Sequence, residues 1–390
     1  MNDFIYLCKK KKMNNPFYIS GIIPEPYFCD REKETKTIVD TLKNQGDILL
    51  TSARRMGKTQ LIRHIFEQES IKEEYYTFYI DIYATSDLSE MVFLMGKEIF
   101  KTLVPKGRRA LKYFWDNVRS ISAGFSIDPI SGKPRFDLKL GEINTPELTL
   151  EEICQYLESA DKPCIFAIDE FQQITRYRQA NTEALLRSCV QKMNNCRFIF
   201  SGSDRHILEQ MFSSYSKPFY NSAKPVYLDR IEKGDYLQFV IRHFSENGKN
   251  ISEDAVGYCY DLFEGYTYYM QKTFHELFPQ IPAGGTATKD SVNNTVHGIL
   301  DEGAHAFAEL TAQLSIAQKG LLCAIAKAGK ARNVTSGSFV KSNALPSPSS
   351  VQKSLATLLD LQLISYQLSP HGKEYFVADK FMELWLKETY

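Results

Sequence analysis

Residues 49–61 read LLTSARRMGKTQL, and the trio Gly57, Lys58 and Thr59 combines three properties that a polyphosphate needs. A glycine admits close backbone approach, a lysine ammonium bridges the β- and γ-phosphates, and a threonine hydroxyl is a ligand for Mg²⁺. The full pattern is a glycine, four residues, then Gly-Lys-Ser/Thr; it is met here except at its first position, where Ser52 stands. A serine takes many of the backbone angles required there. Ser52, Ala53, Arg54, Arg55, Met56, Gly57, Lys58, Thr59 and Gln60 are therefore the candidate nucleotide loop. Side chains at the positions of Arg54 and Arg55 usually point away from the phosphates, which favours a structural or partner-facing role for these two over nucleotide contact. By average residue usage, Gly-Lys-Ser/Thr recurs by chance in roughly one chain in five of this length, so the loop needs independent support.

Hydrolysis of a triphosphate on such a loop needs an acidic partner at the end of a buried strand. Residues 164–170, CIFAIDE, supply one 111 positions after Lys58. An unbroken apolar run fits a strand covered on both faces in a parallel sheet, with Asp169 emerging at the carboxyl edge, where ligands of open α/β sheets bind. Asp169 is the candidate for holding Mg²⁺ through water, together with Thr59, and Glu170 the candidate for polarising the attacking water. A core strand followed by a solvated acidic turn explains the run alone, but explains its pairing with the loop poorly. Residues 197–203, RFIFSGS, form a third apolar run with a small polar end. If that strand lies between the other two, Ser201 or Ser203 can hydrogen-bond the γ-phosphate or the lytic water; a strand-end turn without a role is an equal alternative for either. The candidate catalytic residues are thus Lys58, Glu170, Ser201 and Ser203, while Arg205 reads as a solvated surface arginine rather than a phosphate sensor.

These side chains must be positioned by a strand, a loop and a helix. Residues 47–51 are a short β-type run, and Leu61, Ile62, Ile65 and Phe66 recur on one helical face beyond the loop. In that order the loop N–H groups and the helix N-terminus converge into a positive cradle. Residues 76–82 and 225–228 read as two more parallel strands, and residues 124–141 as an inserted β-hairpin, either a partner contact or packed on the core. With 390 residues, 43% of them hydrophobic, the chain suits two or three domains. A net charge of zero removes any global case for a nucleic-acid or membrane partner. The eight cysteines and seven histidines lack metal-ligand spacing, which fits buried free thiols in a reducing cytosol. No segment approaches ~20 uncharged apolar residues. A soluble, cytoplasmic protein is expected, with residues 1–15, including Lys9, Lys10, Lys11 and Lys12, as a disordered leader.

With these motifs in place the chain resembles the AAA+ class of P-loop ATPases, and within it the large archaeal and bacterial ATPase family close to the STAND signalling NTPases. The resemblance rests on LLTSARRMGKTQLI at the loop, FAIDEFQQI at the acidic strand, FIFSGS at the third strand and FCDREKE at residues 28–34. The last is similar to the segment that packs near adenine in the family, which implies Asp30 and Arg31 as base-side contacts. GYTYYMQ at residues 265–271 is similar to the family's lid motif, with Thr267 where a proline is usual. Over residues 16–390 the resemblance implies an α/β fold: an AAA+-like P-loop NTPase parallel sheet over residues 16–230, a helical lid over 231–304 and a winged-helix domain over 305–390. It implies ATP and ADP as ligands and Mg²⁺ as cofactor.

Residues 311–375 hold seven basic positions (319, 327, 330, 332, 341, 353 and 373) against two acidic ones (360 and 374). In a DNA-reading winged helix, the helix beginning near Pro348 would enter the major groove and offer Ser349, Ser350, Gln352 and Lys353. Double-stranded DNA and a protein partner are even alternatives for this module, and a homo-oligomer stays open. Two function classes follow: a Mg²⁺-dependent ATPase acting as a nucleotide-driven switch, or a winged-helix DNA-binding, initiator-like regulator that holds ATP with little turnover.

Overall fold

A computed structural model of the chain describes residues 15–103, 108–127, 134–136, 143–179 and 181–390. They divide into two compact units, Ile22–Ile231 and Glu232–Tyr390, the described residues up to Gly21 belonging with the second.

The first unit is built on β1 (Ile48–Thr51), β2 (Tyr76–Asp81), a short pair β3 (Phe125–Ile127) and β4 (Pro134–Phe136), then β5 (Cys164–Asp169), β6 (Cys196–Gly202) and β7 (Lys224–Tyr227). Five of them form one sheet in the order β2-β5-β6-β1-β7, every neighbouring pair parallel. The register sets Phe78, Phe166 and Phe198 side by side, with ring centroids 5.5 and 6.2 Å apart. Together with Phe200 they face a core supplied by Met91, Met95, Ile153, Leu157 and Leu186 of the helices Leu88–Leu103, Pro146–Ser159 and Thr182–Gln191. The alternate residues Ile48, Leu50, Ile165, Ala167 and Ile199 are buried too, as are Ile38 and Leu42 of the helix Glu32–Lys43 and Leu61, Ile62 and Ile65 of the helix Lys58–Glu67. Burial on both faces is why the strands read as continuous apolar runs. The pair β3–β4 is antiparallel, with Phe125 opposite Phe136. The rest of the expected hairpin, residues 128–133 and 137–141, lies outside the described residues, as do residues 1–14 of the expected leader.

The second unit opens with four helices, Lys233–Glu246, Glu253–Leu262, Thr267–Gln280 and Lys289–Ala312, and a two-residue parallel pair β8 (Asn250–Ile251) and β9 (Thr286–Ala287). Its aromatic residues are core. Phe17, 0% exposed, sits among Phe239, Phe244, Phe274 and Phe278 at centroid distances of 5.6 to 6.1 Å. The segment is anchored by the Asn15 amide, which donates to the His275 carbonyl at 2.7 Å.

The C-terminal part has the helices Ile316–Ala328, Gly337–Ser342 and Pro348–Asp360, then β11 (Ile364–Ser369) and β12 (Gly372–Val377); with β10 (Ala331–Arg332) they make an antiparallel sheet in the order β10-β12-β11. This is a winged-helix arrangement, closed by the helix Lys380–Thr389. Residue 305, where a separate module was expected to begin, falls inside the continuous helix Lys289–Ala312. The closing segment is bound to the lid-like motif of the same unit: Tyr269 donates its hydroxyl to the Ala378 carbonyl at 3.2 Å, and Phe381 packs edge-on to Phe263 and Tyr269. Among the described residues no helix is long and apolar enough to cross a membrane.

Candidate functional site

The candidate residues gather at the carboxyl edge of the five-stranded sheet. β1 runs directly into the loop, and Gly57, with φ 97°, is the turn from which the helix Lys58–Glu67 starts. That conformation is left-handed, which costs glycine nothing and other residues about 1–2 kcal/mol. Ser52 is not among the described residues with positive φ, so the backbone demands no glycine there. Its hydroxyl instead donates to the Ala53 carbonyl at 2.7 Å and accepts from the Lys58 ammonium at 3.2 Å. Lys58 is 6% exposed. Burial pulls its pKa down, and the carboxylates of Asp169 and Glu170 pull it back up. A buried ammonium held by one serine hydroxyl suits an anion as its further partner.

β5 ends at Asp169, and β6 lies between β5 and β1, the placement the serine hypothesis required. Thr59 donates its hydroxyl to Asp169 Oδ2 at 2.8 Å, joining the loop to the acidic strand. Glu170 turns the chain in the left-handed region (φ 55°, ψ 41°), and its N–H donates to Asp169 Oδ1 at 3.0 Å. Its side chain accepts from Ser203 Oγ at 2.9 Å and from Gln172 Nε2 at 2.5 Å. Ser201 is 0% exposed and its hydroxyl has no hydrogen-bond partner, an orphan polar atom next to the carboxyl edge. A buried ammonium, a threonine hydroxyl beside a carboxylate and an orphan hydroxyl fit a polyphosphate with a hard divalent cation, whose preferred ligands are oxygens.

Other candidates are placed differently. Arg54 is exposed, but its Nε donates to Ser203 Oγ at 3.3 Å and its guanidinium lies 5.6 Å from the Tyr83 ring centroid, so it reaches across the site's edge. Arg55 is exposed with φ 65°, Met56 is buried, and Gln60 is half-buried with an unpartnered side-chain oxygen. Asp30 is exposed; Arg31 is buried, with its guanidinium on the Glu34 carboxylate at 2.9 Å and the Asp229 carbonyl at 2.5 Å. Beside them Phe28 stacks on His64 of the loop helix, ring centroids 3.9 Å apart and planes within 2°. Arg205 pairs with Glu209 at 2.6 Å and covers the Tyr227 ring, a surface position as expected.

Two residues at the site were not marked by the sequence. Tyr79 of β2 donates its hydroxyl to Asp169 Oδ2 at 2.8 Å. Burial is the main cause of its upward pKa shift, reinforced by Asp169. Asp81 pairs in register with Asp169; burial raises its pKa, the Tyr83 N–H opposes the rise, and Asp169 and Glu170 add to it. Their signal was only a strand pattern, which marks position and not role.

The comparisons agree with this layout. The family model described as "ATPase domain predominantly from Archaea" matches residues 28–273, and the model described as "Probable winged helix domain" matches residues 305–388. No curated protein sequence matches the chain. Among solved structures, the Walker-type ATPase PABY2304 of Pyrococcus abyssi is similar at TM-score 0.62 and 20% identity, over 95% of this chain and 99% of that one. The ORC2 protein of Aeropyrum pernix, solved as ADPNP–ADP complexes, follows at TM-score 0.57 and 14% identity, over 97% and 98%. The ORC1 protein of the same organism, solved in complex with DNA, gives TM-score 0.50 and 13% identity, over 95% and 94%. At these identities the likeness concerns the fold.

Proposed function

The chain belongs to the ATPase domain family found predominantly in Archaea, and from that premise we propose that it binds ATP with Mg²⁺ at the carboxyl edge of the sheet, hydrolyses it, and uses the nucleotide state as a switch. One observation carries the reading: Thr59 of the loop and Asp169 of the acidic strand, 110 positions apart, are hydrogen-bonded at 2.8 Å, with Lys58 and Glu170 as their chain neighbours. Lys58 would hold the β- and γ-phosphates, while Thr59 and Asp169 would hold Mg²⁺. The cation supplies charge neutralisation for the phosphoryl oxygens. Glu170, oriented by Ser203 and Gln172, would draw a proton from the attacking water. Ser201 would offer its orphan hydroxyl to the γ-phosphate or that water.

Thermal denaturation tests the binding step. At a hundred times its dissociation constant, ATP with Mg²⁺ should add ~2.7 kcal/mol, a rise of about 5–10 °C in a unit of this size. Lys58→Ala should lose most of that rise. A wild-type melting temperature indifferent to ATP would refute the reading.

For the C-terminal module the two readings, double-stranded DNA and a protein partner, differ in what its basic residues must do. Four of the seven basic residues in its stretch 311–375 are engaged within the unit: Lys330 with Glu264, Arg332 with Glu374, Lys327 with the Tyr390 carbonyl, and Lys319 over the Tyr390 ring. Lys341 and Lys353 are exposed on the helices Gly337–Ser342 and Pro348–Asp360, while Lys373 on the wing lies over the Tyr366 ring. A DNA contact would draw its phosphate neutralisation from Lys341, Lys353 and Lys373, or would have to break the pairings of the other four.

A further inference from the structure

Tyr79 and Asp169 stand on adjacent parallel strands, Tyr79 opposite Ala167 and Asp81 opposite Asp169. Residues two apart on a strand share a face, so the Tyr79 ring projects on the same side as Asp169 and its length carries the hydroxyl forward. The hydroxyl meets Oδ2 at 2.8 Å, the same oxygen that Thr59 reaches at 2.8 Å, while Oδ1 accepts the Glu170 N–H at 3.0 Å. The Arg63 guanidinium lies over the same ring, 5.6 Å from its centroid. Asp169 is thus held by donors from β2, the loop helix and its own turn. Of the two donors on Oδ2, the Thr59 hydroxyl is the one a cation would claim. Tyr79 would then keep Oδ2 oriented.

We propose that Tyr79 is a positioning residue for the divalent cation, acting through Asp169. This rests on the reading that Asp169 and Thr59 hold the cation. Groups of this kind, one bond behind the ligand, typically change metal affinity by about 10–100-fold when removed. A purely packing role would need the ring and not the hydroxyl, and that difference is measurable.

The full chain is compared with Tyr79→Phe and Tyr79→Leu, using a fluorescent non-hydrolysable ATP analogue. Its affinity is measured in EDTA and then across a Mg²⁺ titration, with folding checked by circular dichroism. Tyr79→Phe should bind the analogue in EDTA within about twofold of wild type, yet need about tenfold more Mg²⁺ to reach half of the cation-dependent gain. Turnover of ATP at saturating Mg²⁺ should return to within about twofold of wild type. Tyr79→Leu should shift the Mg²⁺ midpoint by no more than Tyr79→Phe does. An unshifted midpoint in Tyr79→Phe, or a shift confined to Tyr79→Leu, overturns the proposal. A wild-type chain whose analogue affinity ignores Mg²⁺ removes the premise about Asp169 and Thr59, and the proposal with it.

Discussion

Replacing Lys380 by Met should destabilise the second unit by about 2–3 kcal/mol. Lys380 is 7% exposed at the side chain and bridges two carboxylates, Glu264 Oε1 at 2.7 Å and Glu383 Oε2 at 2.8 Å. Removing one partner of a buried pair typically costs about 3–5 kcal/mol, because the remaining charge stays buried alone. Here neither carboxylate is left alone: Glu264 keeps Lys330 at 2.9 Å and Glu383 keeps Lys387 at 2.6 Å, both lysines partly exposed. Such exposed partners return up to about 1 kcal/mol each. Calorimetry should show the corresponding transition lowered by about 5–10 °C. The effect should also depend on pH. Burial pushes the Glu264 carboxyl up, but Lys380 and Lys330 more than offset it and hold its pKa at about 2. A depressed carboxylate contributes stability above its ordinary value near 4.5, and that contribution is lost as pH falls towards 2. For Lys380 burial acts downward, but Glu383 and Glu264 raise its pKa, so its contribution is full below 10.5 and lost only in stronger alkali. The gap between wild type and Lys380→Met should therefore be full at pH 6 and shrink between pH 4.5 and 2. A variant melting within about 1 °C of wild type, or a gap indifferent to acid, would refute the reasoning.

Other outcomes follow from single residues. A Cβ on Gly202 would lie 2.0 Å from Gln172 Oε1 and 2.9 Å from Leu208 Cδ1, so Gly202→Ala should displace Gln172 from Glu170; turnover should fall while ATP affinity, read by titration, stays within about twofold. Phe17→Ala should cost about 3–5 kcal/mol in denaturant unfolding of the second unit, although residue 17 precedes the first unit in the chain. If the C-terminal module contacts protein, any DNA binding should fall with salt at a slope no steeper than about −3 in log K against log salt, as for three phosphates; a slope near −6 would favour the regulator class.

What could be read in advance was local. Gly57, Lys58 and Thr59 follow a strand and open a helix within a few residues, and β5 announces itself because burial on both faces forces an unbroken apolar run. That the motifs meet at one edge follows from all five strands being parallel, whereas the strand order entered the sequence reading only as a condition, that β6 lie between β5 and β1. Long-range polar contacts leave no such trace. The Tyr79–Asp169 bond spans 90 positions, Lys380–Glu264 spans 116 and Arg31–Asp229 spans 198. Each depends on side chains whose types are common and whose spacing along the chain carries no period. Phe17 was equally silent, since one aromatic residue in an irregular segment does not say which core receives it. The helix Lys289–Ala312 runs unbroken across residue 305, so no loop marks the expected boundary there.

The most direct test of the central claim is a single-turnover experiment with γ-labelled ATP and Mg²⁺ on the full chain, Glu170→Gln and Lys58→Ala. Wild type should release labelled phosphate. Glu170→Gln should retain intact ATP on the protein with turnover lowered by at least about a hundredfold, and Lys58→Ala should retain almost none. Phosphate release by Glu170→Gln at the wild-type rate, or equal ATP retention by Lys58→Ala and wild type, would contradict the assignment of the site.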